Sequence, residues 1–283
     1  SNPLNPRPRF FPGAPIPEIY SQKYNINTEE CFAFARELRA VCDEFPEPER
    51  ILLGEVFGDA AVLRRYLGDD DGLQLVFLFD FLRYTYSADF FRDKIAAYEQ
   101  QFPAPLQPTY VLSNHDRTRS CSRVGGDLHK SKVLATLLLT LRGVPTVYMG
   151  EEIGMTNTPV PLAQAQDVMA KAFAFLPEGG FQLLQRALRE TVNRDEVRTP
   201  MQWDASVNAG FCAAGVRPWL PVNDNRVTRS VAAQASDDSL LSLHRRLLRL
   251  RREHPALRDG DLRLLPGTAG DVLAYARTTG PHT

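Results

Sequence analysis

Hydrophobic and polar positions alternate along this chain with two different periods. Residues 29 to 45 carry Phe34, Leu38, Val41, Cys42 and Phe45 at helical spacing, with Asn27 and Glu30 placed to form a capping box. The run RILLGEVF (50–57) follows a Pro-rich turn and reads as a buried strand. DAAVLRRYL reads as a short helix, LQLVFLFDF (73–81) as a second buried strand, and SADFFRDKIAAYEQQF as an amphipathic helix. TYVLS is a third strand. HKSKVLATLLLTLRG is a helix with Gly143 as its C-cap candidate, and VPTVYMG (144–150) a fourth strand. Helix and strand thus repeat four times. Continuous apolar strands separated by helices predict a parallel sheet covered on both faces, for which doubly wound sheets and (β/α)8 barrels both fit.

The regularity ends after residue 150. PLAQAQDVMAKAFAFL and FQLLQRALRETV are plausible helices, and NRDEVRTPMQWDASVNAGF is a charged, turn-rich loop. A clear amphipathic helix follows, with Leu240, Leu243, Leu247 and Leu250 along one side. DLRLLPG and DVLAYAR have the period-two character of strands opening an antiparallel domain. Residues 1 to 26 are rich in proline and aromatics, which forbids a regular helix and favours an ordered loop.

Composition narrows the function. The 283 residues are 43% hydrophobic and 24% charged, with 33 basic against 34 acidic side chains and a net charge of −1. No basic surplus argues for nucleic acid, and no polybasic run argues for an anionic membrane. No apolar run reaches the roughly 18 residues of a membrane helix. The four cysteines form no CxxC pair, so reduced thiols in a cytoplasmic protein are the expectation. Neither phosphate-cradling glycine motif occurs.

The chemistry gathers where the predicted strands end, which is where parallel α/β folds place reactive side chains. Those ends deliver Glu55, Asp80, the trio Asn114, His115 and Asp116, and the pair Glu151 and Glu152. A solvated acidic edge is the ordinary reading for any single one. Glu55 stands out because a polar residue inside LLGEVF is costly if buried without a partner. Leu53, Val56 and Phe57 would wall its carboxyl and raise its pKa, as a general acid requires, while Gly54 would admit a ligand. Asn114 and His115 can donate hydrogen bonds to sugar hydroxyls, and Asp116 can balance a developing cation. His115 as a metal ligand lacks a second histidine nearby, and Asp80 reads as a strand-end cap. Two carboxylates at neighbouring strand ends suit glycoside cleavage, which needs a proton donor and an anion beside an oxocarbenium-like centre. Tyr148, Trp203 and Phe211 could offer stacking faces, although core packing is the commoner role of each.

The stretches LLGEVF, VLSNHD, GVPTVYMGEEIGM, RTPMQWD with NAGF, and PWLPV followed by DSLLSLHRRLLRLRREHPALRDGDLRLL resemble the alpha-amylase superfamily, within it the oligo-1,6-glucosidase/α-glucosidase group. The resemblance implies the C-terminal half of a (β/α)8 TIM barrel over residues 1–257, holding strands five to eight and a long loop region at 151–236. It implies the start of an antiparallel β domain over 258–283. It makes Glu55 the general acid/base, Asp116 the transition-state-stabilising carboxylate, and His115 and Asn114 sugar ligands. Retaining hydrolysis of α-linked glucose from short oligosaccharides follows, with no organic cofactor and an undefined oligomeric state. Trehalose synthase, sucrose isomerase and non-catalytic transporter subunits are related alternatives. The group's nucleophile lies in a GFRxD stretch that these residues lack. That nucleophile and a calcium-type loop would belong to a missing first half of the barrel, leaving this chain inactive and aggregation-prone by itself.

Overall fold

The computed structural model describes residues 24–45, 47–266 and 271–280. The arm at 1–26 lies almost wholly outside them. Two compact units share the chain: Ser1–Phe79 with Arg92–Thr109, and Asp80–Phe91 with Tyr110–Thr283. Both mix helix and strand, so the molecule is α/β.

In the first unit α1 spans Glu29–Asp43, with two glutamates in its first turn to complement the helix dipole. The expected capping box does not form. Thr28 is the N-cap, and Asn27 adopts a left-handed backbone at φ 59° while its amide donates to the Phe57 carbonyl (2.8 Å). The predicted buried stripe is also turned. Phe32 and Ala35 are buried, whereas Phe34, Leu38, Val41 and Phe45 are exposed. The contacts that settle this rotation include polar ones. Arg36 pairs with Asp71 at 3.0 Å, Arg39 donates to the Gly72 carbonyl, and Phe32 meets Tyr66 with ring centroids 4.7 Å apart.

The run at 50–57 pairs over only two residues, β1 (Leu53–Gly54). Helix α2 (Ala60–Leu67) begins at Asp59, whose carboxylate accepts from the Val62 N–H. Strand β2 (Leu75–Leu78) lies parallel to β1, with Gly54 opposite Val76. A Cβ at Gly54 would come within 2.5 Å of Leu73, so this glycine admits its own neighbour, not the ligand expected. Helix α3 (Ala88–Gln101) buries Ile95 and Tyr98.

A 3-10 turn, Phe79–Arg83, replaces the predicted end of the second strand. Strand β3 (Thr109–Val111) is buried throughout, and β4 (Val144–Thr146) is its neighbour in the sheet. Between them lie α4 (Ser120–Arg123) and α5 (Leu128–Thr140). Gly143 does not cap α5. The helix ends at Thr140 with Leu141 as its C-cap, and the carbonyls of Leu139, Leu141 and Gly143 accept from the Arg251 guanidinium. That arginine belongs to α8 (Leu240–Glu253), whose Leu240 and Leu247 pack on Ala135 and Leu139.

Of the helix predicted at 161–176 only α6 (Val168–Lys171) forms as α-helix, because Asp167 stops the pattern and caps a new turn through the Met169 N–H. Helix α7 spans Glu178–Leu188 and buries Phe181 against Leu162, Ala165 and Ala170. A short α9 (Pro255–Arg258) precedes an antiparallel pair, β5 (Asp261–Leu264) and β6 (Tyr275–Thr278), in register Asp261 to Thr278. All four cysteines are free. No helix among the described residues is long and apolar enough to cross a membrane.

Candidate active site

The backbone leaves β3 through Leu112 and Ser113, both buried, and then turns. The turn is local chemistry: the Asn114 side-chain oxygen accepts from the Asp116 N–H at 3.0 Å. It presents His115 half-exposed and Asp116 partly covered, with His115 Nε2 3.5 Å from Asp116 Oδ1. The structure therefore brings Asn114, His115 and Asp116 together.

Two arginines missed in the sequence close over this turn. Arg198 donates through Nη2 to Asp116 Oδ1 (2.6 Å) and through Nε to the His115 carbonyl (2.8 Å), bridging carboxylate and backbone. Arg194 Nη1 reaches the same Oδ1 at 3.2 Å. Its Nε and Nη2 are meanwhile held by Asp167 at 2.7–3.1 Å. Burial pushes the Asp167 carboxyl up, but hydrogen bonds from the Arg194 side chain and from backbone N–H groups win and hold it below the usual carboxylate range. Asp167, with its side chain 1% exposed, thus anchors an arginine that is itself aimed at Asp116. A forked guanidinium fixes a carboxylate's position as well as countering its charge. The available signal was the pair Arg194 and Arg198, four residues apart in a loop dense with charge. Nothing in one sequence shows that the loop returns onto a residue about 80 positions upstream.

The strand-end glutamates divide. Glu152 accepts from the Gly150 N–H beside it (2.8 Å). Glu151 turns inward instead of standing on a rim. It is buried, accepts from the Ser113 hydroxyl and the Tyr148 N–H, and so ties the end of β4 to the end of β3. Burial pushes its carboxyl up to about 7, against the hydrogen bonds that favour the charged form. Beside it Arg119, 1% exposed, donates to the Met149 carbonyl (2.7 Å) and the Val197 carbonyl (2.8 Å). Tyr148 donates its hydroxyl to Val197 and lies under the Arg119 guanidinium, which fits packing better than sugar stacking. Trp203 and Phe211 are about half exposed. Asp80 is exposed in the 3-10 turn.

Glu55 belongs to the first unit and is exposed. The expected wall is absent from its described surroundings, since Leu53 is 45% and Phe57 54% exposed. The reason is alternation along β1. Gly54 lies on the covered face of the sheet, against the Leu73 and Val76 side chains, so Leu53 and Glu55 fall on the opposite, open face. No cluster of three or more His, Cys, Asp or Glu able to hold a metal occurs among the described residues.

Residues 5–260 match the profile of the alpha amylase catalytic domain. The chain is 32% identical over 295 residues to a probable alpha-glucosidase of Rhizobium meliloti, covering 98% of this chain and 49% of that protein. It is 31% identical to an alpha-glucosidase of Apis mellifera, covering 90% and 42%. Among solved structures it is similar to the trehalulose synthase MutB from Pseudomonas mesoacidophila, at 30% identity and TM-score 0.77, covering 89% of this chain and 48% of that one. The chain spans about half the length of the curated relatives it matches. These matches show that the chain belongs to the alpha-amylase family.

Proposed function

We propose that this chain carries two of the three carboxylates of a retaining glycoside hydrolase acting on α-linked glucose in short oligosaccharides. Residues 1–257 would supply strands five to eight of a (β/α)8 barrel, and 258–283 would begin a C-terminal β domain. Glu55 would protonate the departing glycosidic oxygen and later take a proton from water. Asp116 would balance the oxocarbenium-like charge, and His115 and Asn114 would donate to sugar hydroxyls. The attacking aspartate of such a mechanism has no counterpart in a GFRxD stretch here.

The observation that supports the reading best is the turn at 114–116. A carboxylate at a strand end, with a histidine beside it and two guanidinium groups fixing one of its oxygens, leaves the second oxygen of Asp116 available to a cationic centre. The open setting of Glu55 suits a group that must meet substrate and water in turn.

The expected outcome for the 283-residue chain alone is no turnover of p-nitrophenyl α-glucoside, and clean turnover overturns the assignment of a missing nucleophile. Mixing the chain with an N-terminal half-barrel of an oligo-1,6-glucosidase that bears the nucleophile should restore isomaltose hydrolysis. Glu55→Gln should then remove it, and an unchanged rate would assign the proton to another residue. Sucrose converted to an isomeric disaccharide, not to glucose and fructose, would favour the isomerase alternative.

A further inference from the structure

A polar groove runs along α7, on residues that the reaction proposed above does not use. Its larger part is a cavity of about 520 Å3 whose walls include Tyr86, Thr118, Asn157, Arg186, Arg189 and Glu190. A smaller cavity of about 330 Å3 continues it toward Gln182 and Glu178, and the two share Gln185, Arg186 and Glu196. The larger volume lies within the ~300–1,000 Å3 typical of small-molecule sites. None of Asn114, His115, Asp116, Arg194 or Arg198 lines either part.

The lining selects a ligand class. No Ala, Val, Leu, Ile or Met faces the larger cavity, so an apolar ligand would have little to bury there. Donors and acceptors alternate around it, and the acidic ones are held in place. Glu190 accepts from the Thr118 N–H (2.7 Å) and from Arg123 (2.9 Å). Glu196 accepts from Thr191 and Gln185. Two carboxylates in the wall disfavour an anion. Arg186 and Arg189 have no ion-pair partner among the described residues, and Tyr86, with Lys130 Nζ over its ring 5.4 Å from the centroid, still keeps 39% of its surface open. Mixed fixed donors and acceptors beside one aromatic face suit a neutral, hydroxyl-rich molecule.

The backbone adds an independent observation. Arg189 closes α7 in the left-handed region, at φ 51° and ψ 32°. Glycine is the usual residue there, and a side chain costs ~1 kcal/mol. Strain retained at the rim of a cavity points to a use for the guanidinium.

We infer that this groove is a second saccharide-binding site, separate from the turn at 114–116, that takes a short neutral oligosaccharide with a ring against Tyr86 and hydroxyls on Arg186 and Arg189.

The test is calorimetric titration of maltotriose and isomaltotriose into the full chain. Tyr86→Ala and Arg189→Gly should each weaken binding about tenfold, the loss of one aromatic face or one pair of donors. Arg189→Gly is the sharper variant, because glycine relaxes the left-handed backbone and the melting temperature should hold or rise while affinity falls. Arg252→Gln, on the exposed end of α8 away from the groove and the turn, should leave the affinity unchanged. The inference is overturned if neither oligomer binds, if both groove variants bind as the wild type does, or if Asp116→Asn alone removes binding. Saturable binding of inorganic phosphate that Arg189→Gly abolishes, with no saccharide binding, would replace the ligand class and overturn it too. These readouts are independent of turnover, so they stand or fall separately from the proposed reaction.

Discussion

Glu55 and Asp116 each follow a strand, one in each unit, and their surroundings are opposite. Asp116 accepts from two guanidinium groups, and its turn is braced by Asn114 beside it and by Arg198 on the His115 carbonyl. Beneath the turn Ser113 is pinned to a buried glutamate. Glu55 is exposed and makes no hydrogen bond among the described residues. Both carboxylates owe their position to a strand end, yet only one has had its chemistry set. The deciding factor is the returning segment. Residues 194–198 come back over Asp116, whereas the face of β1 that carries Glu55 is open. A strand end places a charge; a second segment, remote in sequence, determines its partners.

The braced region should therefore answer to substitution far more than the open one. The largest effect is expected at Arg119. Arg119→Met removes two hydrogen bonds from a charged donor, to the Met149 and Val197 carbonyls, at ~2 kcal/mol each, so unfolding in urea should lose about 4 kcal/mol even though Val197 keeps the Tyr148 hydroxyl. A loss below about 1 kcal/mol would mean that water replaces the guanidinium and that the region is looser than described.

The next effect is a pH dependence with a definite sign. Burial raises the Glu151 carboxyl from 4.5 to about 7, so the folded state prefers it protonated. Its stabilising contribution is complete below the unfolded value and is lost as pH rises through the folded one. A shift of this size corresponds to about 3 kcal/mol. Wild type should lose that much between acidic and mildly alkaline pH relative to Glu151→Gln, which keeps a partner for Ser113 and cannot ionise. Parallel stability curves for the two proteins would show that Glu151 is not desolvated.

A smaller change tests the clamp itself. Arg198→Lys retains a cation near Asp116 but cannot also reach the His115 carbonyl, and the partly solvated pair should cost about 1 kcal/mol. A loss near 3 kcal/mol would show the turn to be more deeply buried than its exposure indicates.

How much of this was legible follows from the range of the interactions. Asp59 before DAAVLRRYL and the leucines at 240, 243 and 247 act within one helix, and α2 and α8 form where the pattern places them. The trio at 114–116 was legible for the same reason, being three consecutive residues after a strand. Gly143 as a cap failed because Arg251, over 100 residues away, satisfies those carbonyls instead. The wall around Glu55 failed because Gly54, not its neighbours, lies on the covered face of the sheet. The arginine clamp was invisible because its two halves meet only after the loop between them has folded.

The smallest expected effect lies on α1, where the apolar stripe that reads as core is exposed. Phe34 is 58% and Val41 55% accessible, while Phe32, two residues before Phe34, is fully covered. Replacing Phe34 by Glu and Val41 by Lys removes two surface contacts and adds charges of opposite sign, leaving net charge unchanged. Exposed substitutions away from packed features usually change stability by no more than ~0.5 kcal/mol, so the urea midpoint should barely move. Association should respond where folding does not, because an exposed row of Phe34, Leu38, Val41 and Phe45 offers other molecules an apolar surface. Static light scattering at rising protein concentration should therefore fall in the double variant. A large loss of stability with unchanged scattering would mean that this face of α1 packs inward after all, and that Phe32 and Ala35 are not the whole of its buried side.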